Sequence, residues 1–231
     1  MINNWLNVAQ QWLYPATCIF CSQSSKTGYD CCHHCLQQLA RNEPCCPQCG
    51  QRTPIGNDAL CGRCQTSSPY FDHSYIPYRF EPPISGLIHQ FKFAQSLVAG
   101  GVLSDLLSDF LIEKALKFDG IVPVPLHRQR IKQRGFNQSL ELAKRISQMS
   151  GKPLYEQAIQ RVQQTPAQST LSLKERKHNV KGAFRLIKPI DAQHLIVVDD
   201  VVTSGSTCDA VAKLLKEAGV AQVSLVAIAR A

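Results

Sequence analysis

Asp199 and Asp200 follow the apolar run Leu195–Val198, and after two valines comes the loop Thr203-Ser204-Gly205-Ser206-Thr207. Carboxylates accept hydrogen bonds, and the vicinal hydroxyls of a sugar donate them. The loop lies between an expected strand and an expected helix, where backbone N–H groups have no partner within the helix. Gly205 permits close backbone approach, and four hydroxyls add donors. Such a strand–loop–helix junction suits a phosphate monoester at the positive end of the helix dipole. A ribose 5-phosphate group would place its phosphate on Thr203–Thr207 and its hydroxyls on the two aspartates. The loop has no lysine, which sets it apart from the ATP-binding G-x-x-x-x-G-K-[ST] loop. Strict strand alternation would point Asp199 and Asp200 to opposite faces, so both reach one ligand only if the strand has ended there.

The second constellation is cysteine. Ten of the eleven cysteines lie between Cys18 and Cys64. Eight form the C-x-x-C pairs Cys18–Cys21, Cys32–Cys35, Cys46–Cys49 and Cys61–Cys64. Two intervening residues let one tight turn present both sulfurs to a tetrahedral ion, so four knuckles make two structural Zn²⁺ sites. Consecutive pairing would join Cys18, Cys21, Cys32 and Cys35 at one site and Cys46, Cys49, Cys61 and Cys64 at the other. Crossed pairing is the alternative, and Cys31 or Cys45 could replace its neighbour. Four thiolates leave no open position for catalysis.

The formal net charge of +8 suggests an anionic partner. Residues 1–70 hold four basic and three acidic residues, so +7 falls in residues 71–231. Two Zn²⁺ bound by eight thiolates would add about −4 to the cysteine region, making it a poor clamp for nucleic acid. No apolar run approaches the ~18 residues of a membrane span, and the N-terminus lacks the pattern of a signal peptide; a cytoplasmic protein without membrane insertion is expected.

These groups need elements to position them. Residues 2–14 place Trp5, Val8, Ala9 and Trp12 on one helical face. Residues 67–80 read as a linker and an entering strand. Helices are expected at 84–93, 97–116, 137–149 with Asn137 as cap, and 206–218 ending at Gly219. Strands are expected at 120–125, 194–199 and 222–229, and residues 162–182 read as a mobile basic loop. The fold class is therefore α/β, a mostly parallel sheet flanked by helices in residues 67–231, preceded by a small zinc module in residues 1–66. Lys92 in "FKF" reads as a surface lysine with its stem on apolar neighbours. His89, His127 and His178 are candidate acid–base residues.

"LIVVDDVVTSGST" resembles the phosphoribosyl pyrophosphate (PRPP) motif of type I phosphoribosyltransferases. Nearly the whole chain is similar to the ComF family, whose bacterial members are linked to competence and the use of external DNA. The likeness extends over the four knuckles, "LIHQFKF" at 87–93, "VPVPLHRQRIKQRGFNQS" at 122–139 and "LSLKERKHNVKGAF" at 171–184. It implies a type I phosphoribosyltransferase fold and a PRPP site with catalytic aspartates Asp199 and Asp200. It further implies a pyrophosphate loop with Arg128 and Arg130, beside which His127 becomes the foremost acid–base candidate, a closing loop from Arg161 to Lys181 with Gln168, Arg176 and Asn179, and Mg²⁺ bound with PRPP. Thr203 stands where the 6-oxopurine salvage enzymes carry an acid, and no residue names an acceptor. Two functions follow as expectations. One is Mg²⁺-dependent phosphoribosyl transfer. The other is a non-catalytic PRPP- or nucleotide-sensing adaptor of DNA uptake, which binds a competence protein or single-stranded DNA along Arg128, Arg130, Lys132 and Arg134, with Phe136 for stacking.

Overall fold

The computed structural model describes residues 16–25, 30–54, 56, 59–162 and 182–231. The expected helix at 2–14 and the closing-loop residues Gln168, Arg176 and Asn179, with His178, lie outside them. Two one-turn helices, α1 (His33–Gln37) and α2 (Gly62–Thr66), lie in the cysteine region. Strands β1 (His73–Tyr75) and β2 (Tyr78–Arg79) follow, then helices α3 (Ile84–Phe93) and α4 (Leu97–Glu113). After β3 (Gly120–Pro123) come α5 (Arg128–Arg134) and α6 (Gln138–Ser150). The antiparallel pair β4 (Ile159–Arg161) and β5 (Phe184–Leu186) precedes β6 (His194–Val202), α7 (Ser206–Glu217) and β7 (Gln222–Arg230).

The main sheet runs β1-β7-β6-β3, with β2 also on β7, and every pairing in it is parallel. β6 and β7 are central and nearly continuously apolar, as strands buried on both faces must be. Their side chains alternate between two cores. Ile196, Val198, Val226 and Ile228 meet α3, α4 and α6 on one face. Leu195, Val197, Val223 and Leu225 meet Val211, Ala212 and Leu215 of α7 on the other. Truncating a fully buried residue such as Leu195 to alanine would cost about 2–5 kcal/mol.

Helix α3 buries Ile84, Leu87, Ile88 and Phe91, the i, i+3, i+4, i+7 stripe of an amphipathic helix. It lies close to α4 at Gly100, where an added Cβ would meet the Phe91 ring at 2.5 Å. Asn137 caps α6 by accepting the Ser139 N–H at 3.1 Å.

The cysteine region packs against both cores. Cys18, Cys31 and Cys35 join the α3/α4 core, while Cys46, Cys49 and Cys64 join the α7 core. It also covers the edge made by β1 and β2. Ser74 N–H donates to Pro47 C=O at 2.9 Å, Arg79 N–H to Ala40 C=O at 2.9 Å, and Asn42 N–H to Pro77 C=O at 2.9 Å. A sheet edge left open would invite pairing with other chains. Among the described residues, no helix is long and apolar enough to cross a membrane.

Candidate functional site

A cavity of about 600 Å³ opens beyond the carboxyl end of β3. Pairing of β3 with β6 stops at Pro123 and Val198, whereas β7 accompanies β6 through Arg230. One side of β6 is thereby uncovered where Asp199 and Asp200 lie, and both aspartates line the cavity. The expected strand end at Asp199 needs correction, because pairing with β7 carries β6 on to Val202. The register with β7 is unbroken past both aspartates, and each carboxyl accepts the backbone N–H of the next residue. Asp200 N–H donates to Asp199 Oδ1 at 2.9 Å, and Val201 N–H donates to Asp200 Oδ1 at 2.6 Å.

The two carboxyls have different surroundings. Asp199 Oδ1 also accepts the Ser139 hydroxyl at 2.9 Å, and Oδ2 faces Cys208 Sγ at 3.6 Å. Burial first, then the neighbouring Asp200, raise the Asp199 carboxyl to about 6, against the pull of Lys92 and Ser139. Asp200 Oδ2 lies 2.9 Å from Lys92 Nζ. Lys92 is therefore a half-buried cavity residue held by an ion pair, not the surface lysine its flanking aromatics suggest.

Thr203 and Thr207 face the same cavity, Thr207 from the first turn of α7. Ser204 and Gly205 instead line a narrow recess with Arg63 and Phe71. Ser206 and Ser204 share a hydroxyl hydrogen bond of 2.8 Å. Gly205 holds φ +76°, and a Cβ there would meet only Phe71 and Val202, at 3.8 and 3.9 Å. The glycine is required by its left-handed backbone more than by clearance for a ligand.

Arg130 and Arg134, one turn apart on α5, and Arg161 at the end of β4 bring three guanidiniums to the cavity. Burial and then the charge of Arg130 push Arg161 down to about 10, and burial and Arg134 lower Arg130. Crowded cations whose charge is disfavoured by each other form a site that an anion would relieve. Arg128 is exposed and does not line the cavity. His127 caps α5, its Nδ1 accepting the Gln129 N–H at 3.4 Å, which engages the foremost acid–base candidate structurally. His89 lines the cavity with its ring 4.7 Å from that of Phe93. Phe136, expected to be available for stacking, packs on Phe91 at 5.2 Å as part of the α3/α4 core. Phe93, 61% exposed, and Phe80 are the phenylalanines that line the cavity.

Sequence reasoning gave no site role to Lys92 or Ser139, and placed Arg161 only at the start of a loop. The hydroxyl after the Asn137 cap and the lysine inside "FKF" were the available signals. Neither implies a partner more than a hundred residues away in the case of Lys92, or 60 residues away in that of Ser139.

The cysteines form two consecutive sets, Cys18/Cys21/Cys32/Cys35 and Cys46/Cys49/Cys61/Cys64, with the sulfurs of each within 4.8 Å of one another. Cys31 and Cys45 belong to neither. A tetrahedral ion with Zn–S bonds of ~2.3 Å needs sulfurs roughly 3.8 Å apart. Cys21 and Cys32 stand at 3.7 Å, and Cys49 and Cys61 at 3.5 Å. All-sulfur donors at these separations fit Zn²⁺.

Comparison with known proteins agrees with both halves. The double zinc ribbon domain family matches residues 9–65, and the phosphoribosyl transferase domain family matches residues 131–231. The DNA utilization protein YhgH of Salmonella typhi is 36% identical over 223 residues, covering 94% of this chain and 97% of the relative. The protein of the same name in Escherichia coli K12 is 35% identical with the same coverage. Competence protein F of Haemophilus influenzae is 32% identical over 225 residues, covering 93% and 96%.

Proposed function

The chain belongs to the ComF family of competence and DNA-utilization proteins, and from that membership we propose that its cavity binds PRPP with Mg²⁺ and supports phosphoribosyl transfer. The observation that carries this reading is the convergence of Asp199 and Asp200, Thr203 and Thr207, and Arg130, Arg134 and Arg161 on one cavity of about 600 Å³. Each group has a chemical counterpart on the ligand. The ionised aspartates accept hydrogen bonds from the ribose 2′- and 3′-hydroxyls. Amides of residues 203–207 and the threonine hydroxyls take the 5-phosphate at the start of α7. The three arginines neutralise the pyrophosphate. Mg²⁺ bound with PRPP supplies further charge neutralisation to the leaving group. In the transfer, the bond from C1 to pyrophosphate oxygen breaks as an acceptor nucleophile bonds to C1, and pyrophosphate departs with the electron pair. Catalysis at such a site rests on positioning and preorganised charge.

Calorimetry with Mg²⁺-PRPP tests the binding, and pyrophosphate release on adding candidate acceptors tests the transfer. A purified, zinc-loaded protein that takes up no PRPP refutes the reading.

A second reading is supported by the division of α5. Arg130 and Arg134 line the cavity, while Arg128 and Lys132 are exposed to solvent. The outer pair suits the backbone of single-stranded DNA, with Phe93 at the cavity for stacking. In this reading the protein is an adaptor of DNA uptake whose DNA contact responds to PRPP.

A further inference from the structure

Arg63 stands between the zinc ligands Cys61 and Cys64, yet its guanidinium reaches out of the cysteine region. Nη1 donates to the Ser204 carbonyl at 2.8 Å, across 141 residues of sequence. A second guanidinium serves the same loop from the sheet. Arg230 Nη1 donates to the Val202 carbonyl at 2.8 Å and to the Thr203 carbonyl, and its Nη2 donates to Gln51 Oε1 at 2.8 Å. Gln51 is part of the other knuckle of the same cysteine set, for its carbonyl accepts the Cys46 N–H at 2.8 Å. Each knuckle of Cys46/Cys49/Cys61/Cys64 thus contributes one tether to residues 202–204.

These contacts orient the loop. In a planar trans peptide the C=O and the following N–H point in opposite directions. Carbonyls 202, 203 and 204 are all drawn to Arg63 and Arg230. The N–H groups of Thr203, Ser204 and Gly205 are therefore directed away from both arginines. None of the three is taken by a backbone acceptor among the described residues. Three successive amides directed to one side would make a donor set suited to an anion. The left-handed Gly205, at φ +76°, continues the turn into α7. The two guanidiniums also put positive charge behind the loop.

We propose that Arg63 is a positioning residue for the phosphate loop, and that through Arg63 and Gln51 the second zinc ribbon sets the affinity of the site for a sugar phosphate. The proposal rests on the reading of Thr203–Thr207 as the phosphate site. The coupling belongs to one cysteine set only. The first set packs with α3 and α4 on the other face of the sheet. Zinc in the second site would act at a distance, by holding the backbone from which Arg63 and Gln51 project. The phosphate site would then depend on the metal without touching it.

The test uses the full, zinc-loaded chain and two probes, ribose 5-phosphate for the loop and Mg²⁺-pyrophosphate for the arginines of the cavity. Arg63→Ala is expected to weaken ribose 5-phosphate about tenfold, the effect of one lost charge-assisted hydrogen bond. It should leave Mg²⁺-pyrophosphate affinity unchanged, and Arg63→Lys should recover part of the loss. A merely structural role for Arg63 would lower both affinities together and would show no such recovery, overturning the proposal. Equal ribose 5-phosphate affinity in the parent and Arg63→Ala also overturns it while leaving the phosphate-loop reading intact. A parent protein that binds Mg²⁺-pyrophosphate but no ribose 5-phosphate removes that reading, and the proposal with it. If Arg63→Ala lowers the zinc content, Gln51→Ala decides in its place. The same selective loss is expected there, and unchanged affinity overturns the coupling.

Discussion

Lys92 Nζ lies 2.9 Å from Asp200 Oδ2, joining the last turn of α3 to the carboxyl-end segment of β6. The same ammonium pulls down the neighbouring Asp199 carboxyl. One lysine thereby pairs with the Asp200 carboxylate and favours the charged form of Asp199. Lys92→Met should destabilise the fold by about 2 kcal/mol, less than the ~3–5 kcal/mol for a fully buried pair because the side chains keep 19% and 12% exposure. It should also move the pH below which PRPP binding fails to a higher value. Urea unfolding and calorimetry across pH read the two effects separately.

Asp199 gives a pH dependence of defined sign. Its carboxyl is raised from 3.8 to about 6 in the folded state, so between those values the fold holds this proton more tightly than the unfolded chain does. The resulting stability is complete below about pH 3.8 and is lost as pH rises through 6. Asp199→Asn should therefore raise the thermal midpoint at pH 7.5, and the gap should close toward pH 4. The same variant should lose most PRPP affinity, while the parent protein should weaken its grip as pH falls through 6. A thermal midpoint at pH 7.5 equal to or below the parent's would contradict this account of the carboxyl.

Zinc content should approach two ions per chain in protein purified without added metal, as measured by elemental analysis. Replacing Cys18 or Cys46 should each remove one ion. Because both cysteines are buried in the cores shared with the α/β body, each loss should also lower the thermal midpoint of the whole chain. Two independent unfolding transitions, with the α/β body unmoved, would show the contrary.

The two faces of α5 can be separated by substitution. Changing Arg130 and Arg134 to glutamine should weaken PRPP by at least about a hundredfold, two charge-assisted contacts being lost. Changing Arg128 and Lys132 should spare PRPP and reduce both single-stranded DNA affinity and its salt dependence. Fluorescence anisotropy at several salt concentrations reads the DNA arm. Identical behaviour of the two double variants would show that the faces do not divide the ligands.

Gly205→Ala forces a side chain into φ +76°, at about 1–2 kcal/mol, with Phe71 and Val202 at ordinary contact distance. The cost should appear as a modest fall in stability and a misaligned phosphate loop. A variant with parent-like ribose 5-phosphate affinity would place the phosphate off this loop.

Much of the chemistry is legible along the chain because it is local. A C-x-x-C turn brings two sulfurs together whatever surrounds it, and a small hydroxyl-rich loop between strand and helix exposes its amides by backbone geometry alone. Residues 84–93 and 206–217 carry helical periodicity, and the continuous apolar run before Asp199 marks a strand buried on both faces. Arg130 and Arg128 are different: both belong to one basic run, and only the seating of α5 decides which faces the cavity.

By itself, then, the sequence determined the four knuckles, the α/β alternation and the pairing of an acidic strand end with a hydroxyl-rich loop, since each element of these patterns is set by residues within about a dozen positions of one another. Only the tertiary structure decided which knuckles share an ion. It alone brought Lys92, Ser139 and Arg161 to the aspartates, and led Arg63 from the zinc ribbon to Ser204. The physical reason is that β3 stops short of Asp199 while β7 continues beside it. Where a sheet opens, and which distant side chains converge there, follows from how whole elements pack, and local spacing carries no record of that.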